Sequence, residues 1–229
     1  MNILALLAIA MAPGVAIMIY IYLKDRHEKE PIGLLIRSFF LGILSVFVTL
    51  FISSIISQFI TINELDVSEQ AIHAFIIVAL VEEFSKFLFV RGVLYRNKNF
   101  NEPFDGIVYA IMVGMGFATF ENIFYVAEGG FTVALTRMFT AVPAHASFAV
   151  LMGYYLGKAK FEHKKSYYAI HALLIATLFH GAYDYFLFIS FVPGIWIGAM
   201  ISLFLGIHLS RKAIKIHQQT SPFQVFIKK

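Results

Sequence analysis

The chain has 229 residues, 59% of them hydrophobic and only 14% charged, with 25 phenylalanines and a mean hydropathy of +0.78. A soluble fold of this length has too few polar residues to cover its surface, so the composition excludes a water-soluble domain and points to an integral membrane protein. The net charge of +4 fits nucleic acid only if the basic residues form a patch, and the lack of Cys excludes a disulfide framework, a cysteine nucleophile and thiolate metal sites.

A helix needs about 20 apolar residues to cross a bilayer. Seven runs qualify in chain order: residues 2–23, 34–60, 71–95, 104–126, 138–157, 167–188 and 192–210. The expected fold is therefore all-α, a polytopic bundle of seven spans forming one membrane domain over 1–229. The first run has no basic segment ahead of it and reads as a span rather than a cleaved signal. Lys24, Arg26 and Lys29 follow the first run, and Arg91, Arg96 and Lys98 the third. Lys158, Lys160, Lys164 and Lys165 follow the fifth; Arg211, Lys212, Lys215, Lys228 and Lys229 follow the seventh. Fifteen of the 18 basic residues thus fall on one side. The positive-inside rule puts the N-terminus outside and the C-terminus in the cytoplasm. The basic pI is a topology signal, and no nucleic-acid partner is expected.

The third run is the least apolar, because it carries Glu82, Glu83, Lys86 and Arg91. Each such group costs about 2.5–3.5 kcal/mol near the centre of a span, so their face must turn into the protein. Glu82 and Lys86 are one turn apart and read as a structural ion pair. Glu83 lies about 100° around the helix and needs another partner. In the fourth run Gly106, Ala110, Gly114 and Ala118 form a stripe that leads to Asn122, next to Glu121. The fifth run repeats the device with His145, Ala149, Gly153 and Gly157, and the sixth with Ala172, Ala176, His180 and Asp184. Small residues let helices approach closely, and their alignment with ionisable groups predicts one shared internal site. A carboxylate one turn from an imidazole, as Asp184 is from His180, can hold its tautomer. At 1.5 Å per residue, Glu82, Glu121, His145 and His180 lie roughly 16, 8, 10 and 12 Å below the outer ends of their helices, which places the site in the outer half of the bilayer. His73 and His171 have no evident partner and read as structural.

The set Glu82-Glu83-x-x-Lys86, Phe117-x-x-x-Glu121-Asn122, His145 and His180-x-x-x-Asp184 resembles the PrsW family of intramembrane proteases. The resemblance extends from Ala12-Pro13-Gly14 and Glu30-Pro31 through Asp105-Gly106-Ile107-Val108-Tyr109 to His180-Gly-x-Tyr-Asp184. More distantly the chain is similar to the CAAX prenyl proteases, where a His stands at the place of Glu121, and to the scaffold subunit of gamma-secretase. The resemblance implies an endopeptidase of the cell membrane that makes the first, outer-side cut in a single-span anti-sigma factor. That cut leads to release of an envelope-stress sigma factor.

The chemistry expected of these residues is water attack on a peptide bond, with Glu82 as base and Glu83 supporting it. His180 polarises the carbonyl or protonates the amine, Asp184 orients it, His145 is a second acid–base or donor group, and Asn122 is a neutral oxyanion donor. No cofactor is required on this reading. The alternative is a divalent metal at Glu82, Glu121, His145 and His180. Two other classes, a proton-coupled transporter and a non-catalytic scaffold, use the same intramembrane carboxylates.

Overall fold

The computed structural model describes residues 3–223, so Asn2, Lys228 and Lys229 of the sequence reading lie outside the described residues. The described chain is helical, with elements α1 (Ile3–Lys24), α2 (Ile32–Ile56), α3 (Val67–Ile72), a π-helical stretch His73–Leu80, α4 (Val81–Gly92), α5 (Pro103–Phe139), α6 (Ala141–Phe161), α7 (Lys165–Phe188) and α8 (Trp196–Gln219). Local chemistry sets several starts. Asp66 caps α3 by accepting from the N–H groups of Ser68 and Glu69. Pro103 opens α5, where its missing N–H costs nothing.

Five segments are long and apolar enough to cross a membrane: Leu4–Lys24, Ile32–Ile56, Pro103–Phe161, Lys165–Phe188 and Trp196–Gln219, the third of which contains both α5 and α6. Large apolar side chains stand exposed along them, among them Ile36, Phe40, Phe47 and Phe51 on α2 and Ile201, Phe204 and Leu205 on α8. Such a girdle belongs against lipid tails, and the protein is a multi-pass membrane protein.

Helix α5 is the axis of the bundle. Residues 104–119 are all buried, as expected of a helix that is apolar on every side. It packs against α1, α2 and α6. Glycines set these distances: a Cβ on Gly114 would lie 2.8 Å from the Ala149 Cβ, and one on Gly42 would lie 3.0 Å from the Gly116 Cα. The stripes on the fourth and fifth runs therefore face each other, with Gly106 against Gly153 and Gly157.

Element boundaries differ from the sequence reading at most ends, with α8 running on to Gln219 past the expected 210, and two differences bear on the polar cluster. Residues 127–136, expected as an outer loop, are helical: α5 continues to Phe139 past a break at Gly130, whose φ of 67° and ψ of −153° only glycine adopts without strain. Beyond the break the chain returns, since Arg137 reaches back to Glu121 and Asn122. The third run, expected over 71–95, is helical from Val67 to Gly92 with the π-helical stretch inside it.

The opposite end of the bundle is tied by hydrogen bonds between elements distant in sequence. Gln218 donates to the Lys24 carbonyl at 2.5 Å, Lys160 to the Tyr95 carbonyl at 2.7 Å, and Asn101 to Glu28 at 2.7 Å. The ends of α1, α4, α6 and α8 thus lie together.

Candidate active site

Four helices carry the polar cluster. Helix α4 supplies Glu82, Glu83 and Lys86; α5 supplies Glu121, Asn122 and Arg137; α6 supplies His145; and α7 supplies His180 and Asp184. The π-helical stretch sits immediately before α4, and such widened turns recur beside functional sites because they re-aim the residues that follow.

Glu82 and Glu83 are both buried, but they face different ways. Glu82 lies on the wall of a cavity of about 770 Å³ that also holds Glu121, Arg137, His145, His180 and Asp184. Glu83 stands behind that wall. Its Oε1 lies 2.9 Å from His180 Nδ1 and 2.8 Å from Lys86 Nζ. The partner that the sequence left open for Glu83 is therefore His180 together with Lys86. Lys86, read as the ion-pair partner of Glu82, is closer to Glu83; it lies 3.3 Å from Glu82 Oε2, 3.4 Å from His145 Nδ1 and 4.0 Å from the centre of the Phe117 ring.

Each histidine is backed by a carboxylate. His180 Nε2 lies 3.1 Å from Asp184 Oδ2 and 3.9 Å from Glu82 Oε2. His145 Nε2 lies 3.0 Å from Glu121 Oε2, whose other partner is Arg137 at 2.9 Å. The two rings meet edge to face with centroids 5.0 Å apart, and Phe148 stacks on His180 at 4.9 Å. The sequence singled out His180 because Asp184 is one turn away. Helix return after Gly130 and the α5–α6 approach give His145 an equivalent partner in Glu121 that local spacing does not reveal.

Asn122 requires a correction. Its side-chain amide donates to the Ala10 carbonyl at 2.9 Å, and its oxygen accepts from Arg137 Nε at 2.8 Å. It is fully buried and absent from the cavity wall, so an oxyanion role is not available to it: both its polar atoms hold α1 and the returning segment to α5. Arg137 is the residue that sequence reasoning missed. Its signal was present, as the one basic residue between the fourth and fifth runs. His73, read as structural, also lies on the cavity wall and stacks on Phe188 at 4.9 Å.

Glu82, His145 and His180 bring one ligand atom each within 4.8 Å of one another. Two imidazoles and one carboxylate are a zinc-hydrolase donor set that leaves a coordination position open. The carboxylates behind the rings, Glu83 and Glu121, are the outer partners that such ligands use. The residues present fit a divalent metal. Glu121, part of the expected ligand set, is outside this group: its carboxylate is engaged by His145 and Arg137.

The comparisons with known proteins agree with this chemistry. Residues 30–209 match the family described as PrsW family intramembrane metalloprotease. A protein named Protease PrsW from Geobacillus kaustophilus is 43% identical over 184 residues, which cover 80% of each chain. Those of the same name from Oceanobacillus iheyensis and Bacillus subtilis are 42% and 37% identical, covering 80% of this chain and 83% of theirs. No solved structure matches the chain. A buried Glu/His cluster on four helices, a match across most of the chain and relatives of one name together place this chain in the PrsW family of intramembrane proteases.

Proposed function

We propose that the chain is an endopeptidase that cuts a single-span membrane protein, an anti-sigma factor, at the wall where Glu82 meets His145 and His180. The observation that carries this reading is the pairing of a cavity-facing carboxylate with two imidazoles, each oriented by its own carboxylate. Glu82 takes the proton of the attacking water. His180, held from both sides by Glu83 and Asp184, polarises the carbonyl or delivers a proton to the departing amine. His145, held by Glu121, serves the opposite side of the reacting bond. Lys86 and Arg137 supply positive charge at the cluster, and Arg137 is the donor that Asn122 is not.

A second reading rests on the three ligand atoms within 4.8 Å and on the family description. Glu82, His145 and His180 would hold a divalent metal, which would supply Lewis acidity and an acidified water. Under that reading Glu83 and Glu121 fix the two rings. We further infer that α1, α2, the helical segment from Val67 to Gly92, α5, α6, α7 and α8 each cross the bilayer. The supporting observation is that the ends of α1, α4, α6 and α8 are tied together. The thirteen described members of the basic set follow the helix ends on that side, which by the positive-inside rule supports a cytoplasmic assignment for it and a cavity that opens in the outer half.

Purified protein and a single-span substrate, with and without chelator, test both readings. Cleavage that persists in chelator and is lost in Glu82→Gln supports the glutamate reading. Loss in chelator with recovery on adding Zn²⁺ supports the metal reading. Undiminished cleavage by Glu82→Gln overturns both.

A further inference from the structure

Helices α1 and α8 meet at the basic end of the bundle and part further in. At the meeting point Gln218 donates to the Lys24 carbonyl, and His27 Nε2 lies 3.0 Å from the Gln218 carbonyl oxygen. Deeper in the bundle α1 packs on α5, while α8 packs on α6 and α7. Between α1 and α8 lies a groove of about 280 Å³. Ile17 and Tyr20 of α1 form one wall, Ile207 and Arg211 of α8 the other, and Ala146 and Val150 of α6 part of the floor. An apolar groove between membrane spans has the shape and chemistry of an acyl-chain slot.

The charge on this groove is of one sign. Arg211 is exposed and stands about 12 Å short of the end of α8 at Gln219. A cation on the lipid side of a span is costly unless its stem carries it to the interface and an anion meets it there. Lys215, also exposed, is one turn nearer that end on the same side of α8. On the opposite wall Lys24 Nζ lies 5.4 Å from the centre of the Tyr20 ring. No salt bridge among the described residues reaches Lys24, Arg211 or Lys215. Asp25, next to Lys24 in sequence, is buried and accepts from the Glu30 backbone N–H. An apolar slot thus ends at three cations that no carboxylate of the described chain neutralises.

We propose that this groove is a binding site for an anionic glycerophospholipid. One acyl chain lies between α1 and α8, and the phosphate rests against Arg211, Lys215 and Lys24. A guanidinium matches a phosphate in charge and fork geometry, and basic pockets between membrane helices are a recurrent form of headgroup site. A zwitterionic lipid carries its own cation and gains less from the three charges. A second copy of this chain is disfavoured as occupant, because it brings the same surplus of Lys and Arg to this level. The groove floor is the helix that carries His145, and Ser210 Oγ donates to the Ser147 carbonyl there at 3.2 Å. The lipid therefore completes the packing of α1 and α8 on α6. The inference needs only the placement of these helices in the bilayer and is independent of the peptidase reading.

The full-length protein in detergent, titrated with phosphatidylglycerol or phosphatidylcholine, tests the site by native mass spectrometry and by thermal midpoint. Phosphatidylglycerol should be retained more strongly and raise the midpoint further. Arg211→Gln combined with Lys215→Gln should weaken its retention about 30-fold, since each charge near the membrane surface contributes on the order of 1 kcal/mol. Lys164→Gln combined with Lys165→Gln, exposed at the same end but outside the groove, should leave retention unchanged. Ile207→Trp keeps every charge and fills the groove, so it should also reduce retention; Ile17→Trp does the same from the opposite wall and serves if the first variant folds poorly. Equal retention of the two lipids, or equal weakening by the two paired Gln variants, overturns the proposal in favour of diffuse attraction. Full retention in both Trp variants removes the acyl slot and overturns it as well. So does an equal midpoint rise with soluble glycerol phosphate, which would make the site one for a free anion. Ready disulfide formation between copies carrying Ile207→Cys, unaffected by phosphatidylglycerol, would give the groove to a second copy instead.

Discussion

Glu82 and Glu83 are neighbours in sequence, yet the helix turns one to the cavity and the other to His180 and Lys86. Their substitutions should fail differently. Glu82→Gln removes the group at the reacting bond and should cost about 10²–10⁴-fold in cleavage rate or more. Glu83→Gln keeps that group but loosens His180 and leaves Lys86 with a weaker partner, so it should lower both rate and thermal midpoint. Cleavage assays paired with melting curves separate them; Glu83→Gln with full activity would remove its role in positioning. At the end of the bundle away from the cavity, burial first and the charge of Glu102 next push Asp25 from 3.8 up to about 7, opposed by the hydrogen bond it accepts from the Glu30 backbone N–H and by Lys29. Glu30 and Glu102 are raised as well, chiefly by burial. A carboxyl raised in the fold stabilises most below its unfolded value and loses that contribution as pH climbs through its folded value. These groups should therefore make the protein melt at progressively lower temperature between about pH 4 and pH 7. Asp25→Asn should flatten that slope, and a midpoint that rises over the same window would contradict the assignment.

Small-residue stripes connect the elements to the chemistry. A Leu at Gly114 must displace Ala149, one turn from His145, and a Leu at Gly153 must displace the backbone of Gly106 and Ile107. Separating α5 from α6 moves Glu121 relative to His145, and a shift of about 1 Å at a reacting centre can cost on the order of 100-fold. Both variants should insert normally, retain helicity by circular dichroism and lose most activity. Rates within a few-fold of the parent would mean that this contact does not set the site. The stripes were legible because a period of four survives in the sequence whatever the rest of the chain does. The returning segment after Gly130 was not. Gly129-Gly130 reads as a loop signal, and only the contacts of Arg137 with Glu121 and Asn122 explain why a helix resumes behind it. The π-helical stretch was equally hidden, since His73–Leu80 is an apolar run with no local mark of its wider turn. Charge patterning and motif spacing picked out residues that the structure gathers into one cluster; their division into wall and backing, and the position of Asn122 away from the wall, depend on helix rotation that periodicity does not fix.

At the scale of the molecule, one end gathers most of the positive charge together with Asp25, Glu30, Glu102 and Asp105, and the other holds the cavity with Glu82 on its wall. The chain has no cysteine, so single cysteines report topology without a background. Ser68→Cys, in the first turn of α3, and His163→Cys, on the connection between α6 and α7, are exposed positions assigned to opposite sides. An impermeant maleimide should label the first in intact cells and the second only after permeabilisation; the reverse pattern would invert the orientation. That orientation fixes where the substrate is cut. Peptide bonds in a continuous membrane helix are shielded by their own hydrogen bonds, so the substrate must be extended where it meets Glu82. Unwinding costs least near the membrane surface, where water can take over the freed backbone groups. The cavity that receives the extended segment is walled by Tyr125, Thr136 and Thr140 as well as by the acids and histidines. These three belong to the last part of α5 and the turn into α6, on the side of Glu121 away from the basic end. The products should therefore carry new termini within the first few residues of the substrate span on its outer side, as read by mass spectrometry. Termini near the cytoplasmic face would require a different entry route and would overturn the assignment of this cavity to the outer half.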